Sequence, residues 1–306
     1  MDAAPDLVIL GNLLVDDIVL RDGTTLMGEP GGALLHAALA ARLWSARVGL
    51  VSVVGTDYPA AALEALADRG VDLSGVRRLG RPGGRAWLLY ERDTRRVIHH
   101  LGCPSHDDVS PLPDDVPAAF RTGRAFHLAP MPIERQHLLA QSLADRPFLS
   151  LDPYDLLRDD TLAAWSRVLA HVDAFFPSRD EIFTTLPADD LVRRLASGRL
   201  GLIALKAGAD GGRLVDLSSG DALDWASRTH RVVDATGAGD AFAGGFLAGL
   251  LLHGDRPRAI EQGIVAASFA VEDWGARGLL AATPAHAAAR QAEWFGAMAV
   301  AEGAPA

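Results

Sequence analysis

Short runs of apolar residues alternate with helical patterns along most of the chain. The first run, Leu7–Leu10, is followed by Gly11 and predicts a buried strand. Alternation of this kind favours an α/β fold, in which a doubly wound, mostly parallel sheet is flanked by helices. The pattern predicts further strands at 48–54, 125–128, 148–151, 172–176 and 202–205, and helices at 33–46, 59–69, 239–253, 257–273 and 284–298.

Two segments interrupt this alternation. Residues 18–27 are strand-like around a turn at 21–23, and residues 86–91 and 95–100 have the pattern of a hairpin. Small antiparallel strands placed early in an α/β chain suggest a lid over the crevice at the strand ends. We therefore expect one domain, residues 1–306, with lid strands at about 17–28 and 85–101 inserted in it.

The charge balance argues against several classes of partner. The chain carries 29 Lys and Arg residues against 39 Asp and Glu residues, which gives a formal net charge of −10. An acidic protein without a basic run repels phosphate backbones, so we expect no binding to nucleic acid. The longest apolar stretch, residues 241–252, is shorter than the ~20 residues needed to span a bilayer, so we expect no membrane insertion.

Cysteine usage and the first residues indicate a cytoplasmic protein. Cys103 is the only cysteine and cannot form an intrachain disulfide, which is typical of a reducing compartment. The first residues also lack the basic segment with which a secretion signal begins.

The most informative stretch is a turn of small residues that leads directly into a helical pattern. Gly237, Ala238 and Gly239 precede Asp240. The first N–H groups of a helix lack helical acceptors and bind anions, and small side chains let a phosphate approach them. Asp240 would lie beside that phosphate, where a carboxylate can accept the proton of an attacking hydroxyl. An N-capping aspartate after a glycine-rich turn is the simpler structural interpretation.

The segment 234–240, Asp-Ala-Thr-Gly-Ala-Gly-Asp, resembles the C-terminal signature of the ribokinase-like (PfkB) carbohydrate kinases. The N-terminal half agrees at Gly31 and Gly32, and matches run in the family's order from about residue 6 to about residue 284. The resemblance implies a ribokinase-like domain that uses ATP and Mg²⁺ to phosphorylate a hydroxyl of a small polyol, such as a sugar, nucleoside or cyclitol. It makes Asp240 the base and the amides of residues 237–239 the anion hole.

The resemblance also implies nucleotide and metal sites. Glu181 matches the glutamate of the family's Asn-x-x-Glu motif and would organise Mg²⁺ through water, while Ser178 stands where the family has Asn. The turn after the predicted strand 202–205 resembles one that lines the ATP site. The residues implied to bind ATP are Ser178, Lys206, Gly208, Gly211 and Gly239, and those implied to bind a monovalent cation such as potassium are Asp234 and Thr236.

The substrate site is where the sequence departs from the family. Asp16 matches the carboxylate that accepts hydrogen bonds from substrate hydroxyls, but Leu14 and Pro130 fall where ribokinases have polar residues. Unpaired substrate hydroxyls would cost ~1–3 kcal/mol each. We therefore expect a nucleoside, a cyclitol or a modified sugar rather than free ribose. The candidate substrate-binding residues are Asn12, Asp16, Gly31, Gly32, His36 and Cys103.

Several alternatives stay open. The segment 99–106 carries three histidines and Cys103, a composition that superficially suggests a zinc site. The departures at Ser178 and His36 would also fit a non-catalytic ribokinase-like protein that binds or senses a small molecule. Exposed edges of the lid strands favour a homodimer. No G-x-G-x-x-G follows the first strand, which excludes a Rossmann-type dehydrogenase.

Overall fold

The computed structural model describes residues 4–91 and 94–296. The strands, in chain order, are β1 (Leu7–Leu10), β2 (Leu14–Val19), β3 (Thr25–Gly31), β4 (Val48–Val54), β5 (Asp72–Arg78), β6 (Arg85–Glu91), β7 (Thr94–His99), β8 (Ala125–Leu128), β9 (Leu149–Leu151), β10 (Leu157–Arg158), β11 (Ala174–Phe175), β12 (Ile182–Phe183), β13 (Leu202–Lys206), β14 (Gly212–Asp216) and β15 (Ala222–Trp225). The helices are α1 (Ala33–Arg42), α2 (Ala60–Asp68), α3 (Ile133–Ser142), α4 (Leu162–Leu169), α5 (Ala188–Leu195), α6 (Ala238–His253), α7 (Arg256–Val271), α8 (Arg277–Ala281) and α9 (Pro284–Phe295).

The central sheet has the strand order β15-β14-β13-β11-β9-β8-β1-β4-β5. Its strands from β13 to β5 pair in parallel, which confirms the predicted doubly wound α/β fold. The hairpin β14–β15 adds an antiparallel edge that the sequence pattern did not predict. Strand β1 lies inside the sheet, between β8 and β4, and is buried at every position, as its unbroken apolar run predicts.

Each face of the sheet is covered by its own apolar layer. Leu7 and Ile9 point into a layer that includes residues of α1, α6 and α7, whereas Val8 and Leu10 point into a layer built with α3 and α4. This is the alternation that a two-sided buried strand produces. Helices α1 and α6 pack so closely at Gly244 that a side chain does not fit between them. A Cβ on Gly244 would lie 2.1 Å from the carbonyl oxygen of Ala37.

The lid is a second sheet, with the strand order β3-β2-β6-β7. Its first hairpin begins at Leu14 and ends at Gly31, so it is longer than the predicted segment at about 17–28. Residues 92 and 93, between β6 and β7 in the sequence, lie outside the described residues. Because β2 follows β1 and β3 leads into α1, the first hairpin stands at the carboxyl edge of the central sheet.

A buried carboxylate holds the lid together. Asp17 accepts hydrogen bonds from both the Nε and Nη2 atoms of Arg85 at 2.8 Å and from the backbone N–H of Gly28 at 2.8 Å. His100 also lies 2.8 Å from this carboxylate and stacks on the ring of Trp87. Asp17 is therefore a structural residue, whereas its neighbour Asp16 faces Gly31.

Two helices end three or more residues earlier than the apolar pattern predicts. Helix α1 ends at Arg42 rather than at residue 46, and Ser45 adopts a left-handed conformation with φ 62°. The Arg42 guanidinium binds the carbonyl oxygens of Ala46 and Arg69, which fixes this turn. Helix α9 ends at Phe295, where Gly296 has φ 87°. Within residues 4–91 and 94–296, no helix combines the length and hydropathy that crossing a bilayer requires.

Candidate active site

Helix α6 begins at a left-handed glycine that aims its first N–H groups out of the helix. Gly237 has φ 73°, a conformation that residues with a Cβ rarely adopt. A Cβ on Gly237 would also lie 2.1 Å from the ring of His36, so this turn has no room for a side chain. Ala238, Gly239 and Asp240 are half-buried in the first turn. The junction therefore has the form of an anion hole beside a carboxylate.

The chain's only lysine lies across this junction. Lys206 ends strand β13, and its Nζ would be 3.2 Å from a Cβ placed on Gly239. The charge of Lys206 also interacts electrostatically with the carboxylates of Glu181 and Asp240. Four residues that the sequence singled out separately, Gly239, Asp240, Glu181 and Lys206, are thus brought to one place.

A fifth residue of this cluster was missed at the sequence level. Asp152 directly follows strand β9, and its Oδ2 lies 2.5 Å from the Nζ of Lys206. The Lys206 side chain is 10% exposed and that of Asp152 is 2% exposed, so the ion pair is shielded from water. The available signal was an aspartate immediately after the buried run at 149–151, at the edge where α/β folds bind ligands.

Burial and nearby charges shift the pKa values of these groups. Burial raises the pKa of the Asp152 carboxyl above its ordinary value, and the Lys206 ammonium opposes that effect. For Lys206, burial alone lowers the pKa, but the carboxylates of Asp152, Glu181 and Asp240 outweigh it and raise the pKa. Behind the pair, burial lowers the pKa of His127 to about 3, so this ring is neutral. The ammonium is consequently the positive group of the cluster.

Glu181 is the last residue of a short helical turn, Arg179–Glu181, that follows β11. Its Oε2 accepts a hydrogen bond from the backbone N–H of Ser178 at 2.7 Å, and the chain at Ser178 runs beside Lys206, whose N–H binds the carbonyl oxygen of Pro177. Carboxylate oxygens are hard ligands of the kind that Mg²⁺ prefers, and Mg²⁺ commonly keeps most of its waters. The chemistry of Glu181 therefore fits a residue that holds Mg²⁺ through water.

The candidate cation residues Asp234 and Thr236 organise the loop before the anion hole. One oxygen of Asp234 accepts from the backbone N–H of Thr236 at 2.9 Å, the Thr236 hydroxyl at 2.7 Å and the Tyr90 hydroxyl at 2.9 Å. The other oxygen accepts from the N–H of Gly275 at 2.8 Å. Since Tyr90 belongs to lid strand β6, this network ties the lid to the loop. The potassium site stays a prediction.

The candidate substrate residues gather where the lid meets the sheet. The Asp16 carboxylate packs against Gly31, since a Cβ on that glycine would lie 1.8 Å from Oδ2 of Asp16. Gly32 has φ 96°, and a Cβ there would lie 2.3 Å from the carbonyl oxygen of Asn12. Within the described chain, neither side-chain polar atom of the buried Asn12 has a hydrogen-bond partner. This amide is therefore available to a hydroxyl or a water.

His36 and Cys103 occupy different surroundings. His36 is 1% exposed, its Nδ1 lies 3.3 Å from the carbonyl oxygen of Gly32, and its ring packs on Gly237. It therefore joins the substrate-side glycine to the anion hole. Cys103 is half-buried after the lid and interacts electrostatically with Arg85.

Aromatic and imidazole rings bridge the lid and the main sheet. The rings of His106 and Tyr154 lie 4.5 Å apart between centroids, and those of His99 and His106 lie 5.2 Å apart. Tyr154 follows Asp152 by two residues, so this ring cluster (His99, His106 and Tyr154) lies beside the carboxyl end of β9. The zinc alternative finds no support, because the described residues contain no group of three His, Cys, Asp or Glu side chains arranged for a metal.

The remaining candidates, Gly208 and Gly211, form the turn between β13 and β14. Both have positive φ, and Gly211 packs on the backbone of Trp225, whose ring stacks on Phe242 of α6 at 4.8 Å. A cavity of about 290 Å³ lies beside this turn; its lining includes Trp225, Ala226, Arg228, Ile260, Glu261 and Ile264. A larger cavity of about 600 Å³, beside Phe148 and the C-terminal end of α6, contains none of the candidate residues.

Known proteins are similar to this chain in sequence and in fold. A cytidine kinase from Thermococcus kodakarensis is 29% identical over 284 residues, which cover 88% of this chain and 97% of that protein. A nucleoside kinase from Burkholderia thailandensis, solved with inosine, superposes with a TM-score of 0.75 at 18% identity and covers 95% of this chain and 99% of its own. A putative ribokinase II from E. coli, solved with ATP and Mg²⁺, gives a TM-score of 0.74 at 20% identity, covering 92% and 97%.

The family assignment rests on the sequence match itself. Residues 14–283 match the family described as pfkB family carbohydrate kinase, a span that includes the lid, Glu181, Lys206 and the anion hole. The protein is accordingly a phosphotransferase that acts on an alcohol of a sugar or nucleoside. On this match, which extends over most of its length, the chain belongs to the pfkB family of carbohydrate kinases.

Proposed function

We propose that the protein is an ATP-dependent nucleoside kinase that transfers the γ-phosphoryl group to a hydroxyl of a nucleoside. The observation that carries the phosphoryl-transfer part is the convergence of Lys206, Glu181 and Asp240 at the glycine-lined start of α6. An ammonium, a metal-binding carboxylate, a free carboxylate and helix-start amides are the groups that this chemistry needs. The departures at Ser178 and His36 leave all four in place.

Each residue has a distinct part in this reaction. Asp240 accepts the proton of the attacking hydroxyl, while the amides of residues 237–239 and the Lys206 ammonium stabilise charge on the transferred group. Glu181 would hold Mg²⁺ through water, and Mg²⁺ neutralises charge on the β- and γ-phosphates. The apolar cavity beside Trp225 suits the nucleotide's base. Tyr90 and Asp234 hold the lid against the loop, which excludes water from the reacting groups.

Two observations support a nucleoside as the acceptor. The buried Asp16 carboxylate and the unpartnered Asn12 amide offer hydrogen bonds to a sugar ring. The ring cluster of His99, His106 and Tyr154 adds a surface on which a heterocyclic base can stack, a contact that a free sugar cannot make. The cytidine kinase relative is consistent with such a substrate.

A panel of acceptors tests this proposal. ADP release would be measured with cytidine, uridine, adenosine, inosine, ribose, fructose and myo-inositol, and we expect the best nucleoside to exceed ribose and fructose at least tenfold in kcat/KM. Replacing Tyr154→Leu should lower kcat/KM for that nucleoside about tenfold, since stacking on a base contributes ~1–3 kcal/mol. The same variant should leave turnover of ribose unchanged, which serves as the internal control.

Two other results would contradict parts of this proposal. If a free sugar is the best acceptor, the nucleoside assignment is wrong while the kinase assignment stands. If the protein binds ATP but no acceptor stimulates ADP release, the non-catalytic binding protein becomes the better account.

A further inference from the structure

Asp152 is a buried carboxylate whose backbone is held rigidly on both sides. Its N–H donates to the carbonyl oxygen of Leu128 at 2.9 Å, at the end of strand β8. Its carbonyl oxygen accepts from the side-chain amide of Gln136 at 2.7 Å, and Gln136 is fully buried in helix α3. The carboxylate therefore projects from a fixed point at the centre of the sheet's carboxyl edge.

Among the described residues, Lys206 is the only one whose side chain lies within hydrogen-bonding distance of the Asp152 carboxylate. A lysine has a flexible four-carbon stem, so the position of its ammonium depends on the groups that bind it. Glu181 and Asp240 both attract the same ammonium. Without Asp152, only Glu181 and Asp240 would determine where the ammonium lies.

We propose that Asp152 is the positioning residue for Lys206, and that its carboxylate holds the ammonium over the first turn of α6, where the transferred phosphoryl group lies. The inference rests on the proposed function only in identifying the anion as that phosphoryl group. Asp152 itself touches no substrate in this account. It acts through the ammonium, and it also leaves Asp240 free to accept a proton.

A double-mutant cycle tests this role. We expect Asp152→Asn to lower kcat at least tenfold with a smaller change in KM for ATP, because charge on the transferred group is greatest in the transition state. In a Lys206→Met background the same substitution should change kcat less than twofold, because the group through which it acts is gone. Asp152→Glu, which keeps the charge, should retain more activity than Asp152→Asn and serves if the asparagine variant fails to fold.

A pH profile distinguishes positioning from a structural role. The Asp152 carboxylate raises the pKa of Lys206, so removing its charge should shift the alkaline limb of kcat to lower pH. Asp6→Asn is the matched control. Asp6 also forms an ion pair, with Arg47 at 2.7 Å, but it precedes β1 and so lies at the end of the sheet away from the candidate site. We expect that variant to lose stability while its kcat and pH profile stay at the wild-type values.

The outcomes separate this inference from the proposed function. An equal loss of kcat from Asp152→Asn in both backgrounds, or no loss in either, would overturn the positioning role. If the wild-type protein transfers no phosphate, the proposed function fails, but the dissociation constant of AMP-PNP, an ATP analogue that keeps the γ-phosphoryl group, still decides the cycle on the same four proteins. Coupling of at least fivefold between the two substitutions supports the inference, and additivity contradicts it.

Discussion

At the scale of single residues, the site is governed by the cost of burying charge. Lys206 is the chain's only lysine among 29 basic residues, and it is buried within the site. A compact ammonium can pair with Asp152 and still face the anion hole, whereas a planar guanidinium occupies more width. Charge on a buried group is retained only when partners compensate for lost hydration, and three carboxylates supply that here.

Burial also governs His127, but this side chain is neutral in the folded protein, whereas Lys206 keeps its charge. Its ring is buried between Ser150, to which Nδ1 lies 3.0 Å, and the edge of Phe176. Burial, with a contribution from Lys206, lowers its pKa to about 3. The folded protein keeps this ring neutral over a pH range in which the unfolded chain protonates it.

This pKa predicts a loss of stability in acid. Between pH 6.5 and about 3 the unfolded state binds a proton at His127 and the folded state does not, so the stability falls as the pH is lowered. From pH 7.5 to pH 5 the contribution of this histidine should amount to about 2 kcal/mol. Urea unfolding of the wild type and of His127→Gln at both pH values measures it. Equal losses in the two proteins would show that His127 is not the group responsible.

Residues that belong to a sequence motif could be predicted, and Asp152 could not. Glu181, Lys206 and the segment 234–240 were identified because their order and spacing match a family pattern. Asp152 has no such spacing, because its role depends on β9 and β13 both lying beside β11 in the sheet. A contact across three strands is set by the strand order, which the local sequence does not specify.

At the scale of elements, the start of α6 depends on glycines for two different physical reasons. Gly237 needs both a left-handed backbone and the absence of a Cβ, because the ring of His36 occupies the space. Gly254, at the other end of the same helix, is also left-handed with φ 67°, but nothing lies within 4 Å of the place where its Cβ would be. The helix thus offers a matched pair of positions.

The matched pair makes a specific prediction. Gly254→Ala should cost only the backbone strain of a left-handed residue, about 1–2 kcal/mol, and should leave kcat unchanged. Gly237→Ala carries the same strain but also displaces His36 and the anion-hole amides, so we expect kcat to fall at least a hundredfold. Thermal melting and steady-state kinetics on both variants check this. Similar kcat values in the two proteins would contradict a role for the turn in phosphate binding.

The lid strand β6 is coupled to the same turn. The Tyr90 hydroxyl lies 2.9 Å from Asp234 and 2.7 Å from Thr236, both in the loop that leads to Gly237. These hydrogen bonds join the lid sheet to the loop that leads into the start of α6. The lid carries exposed apolar side chains at Met27, Val97 and Ile98, which agree with the predicted homodimer, although that dimer stays a prediction.

At the scale of the whole molecule, the site is assembled from segments far apart in sequence. Asn12 follows β1, Asp152 follows β9, Lys206 ends β13, and the anion hole begins α6. Parallel strands bring their carboxyl ends to one edge, so a doubly wound sheet concentrates these residues in one crevice. The alternation of apolar runs was sufficient to predict this architecture.

The parts of the fold that the pattern missed have two physical causes. The edge hairpin β14–β15 has exposed residues at most positions of β15, so it lacks the apolar run that marks a buried strand. Helix α1 stops at Arg42 because contacts with Ala46 and Arg69 compete with helix continuation. Tertiary contacts of this kind override local propensity and are not visible in a window of sequence.

The central claim is that Asp240 is the base beside an anion hole, and one substitution tests it most directly. We would measure kcat for the best acceptor, and the dissociation constant of ATP, for the wild type, Asp240→Asn and Asp255→Asn. Asp255 occupies the N-cap position of α7 and provides the control for an aspartate at a helix start outside the candidate site.

We expect Asp240→Asn to lower kcat ~10²–10⁴-fold, because general base catalysis contributes a factor of this size to the rate. The affinity for ATP should change less than threefold. The Asp255→Asn control should keep the wild-type kcat. An Asp240→Asn protein whose kcat stays within threefold of the wild type would contradict the account.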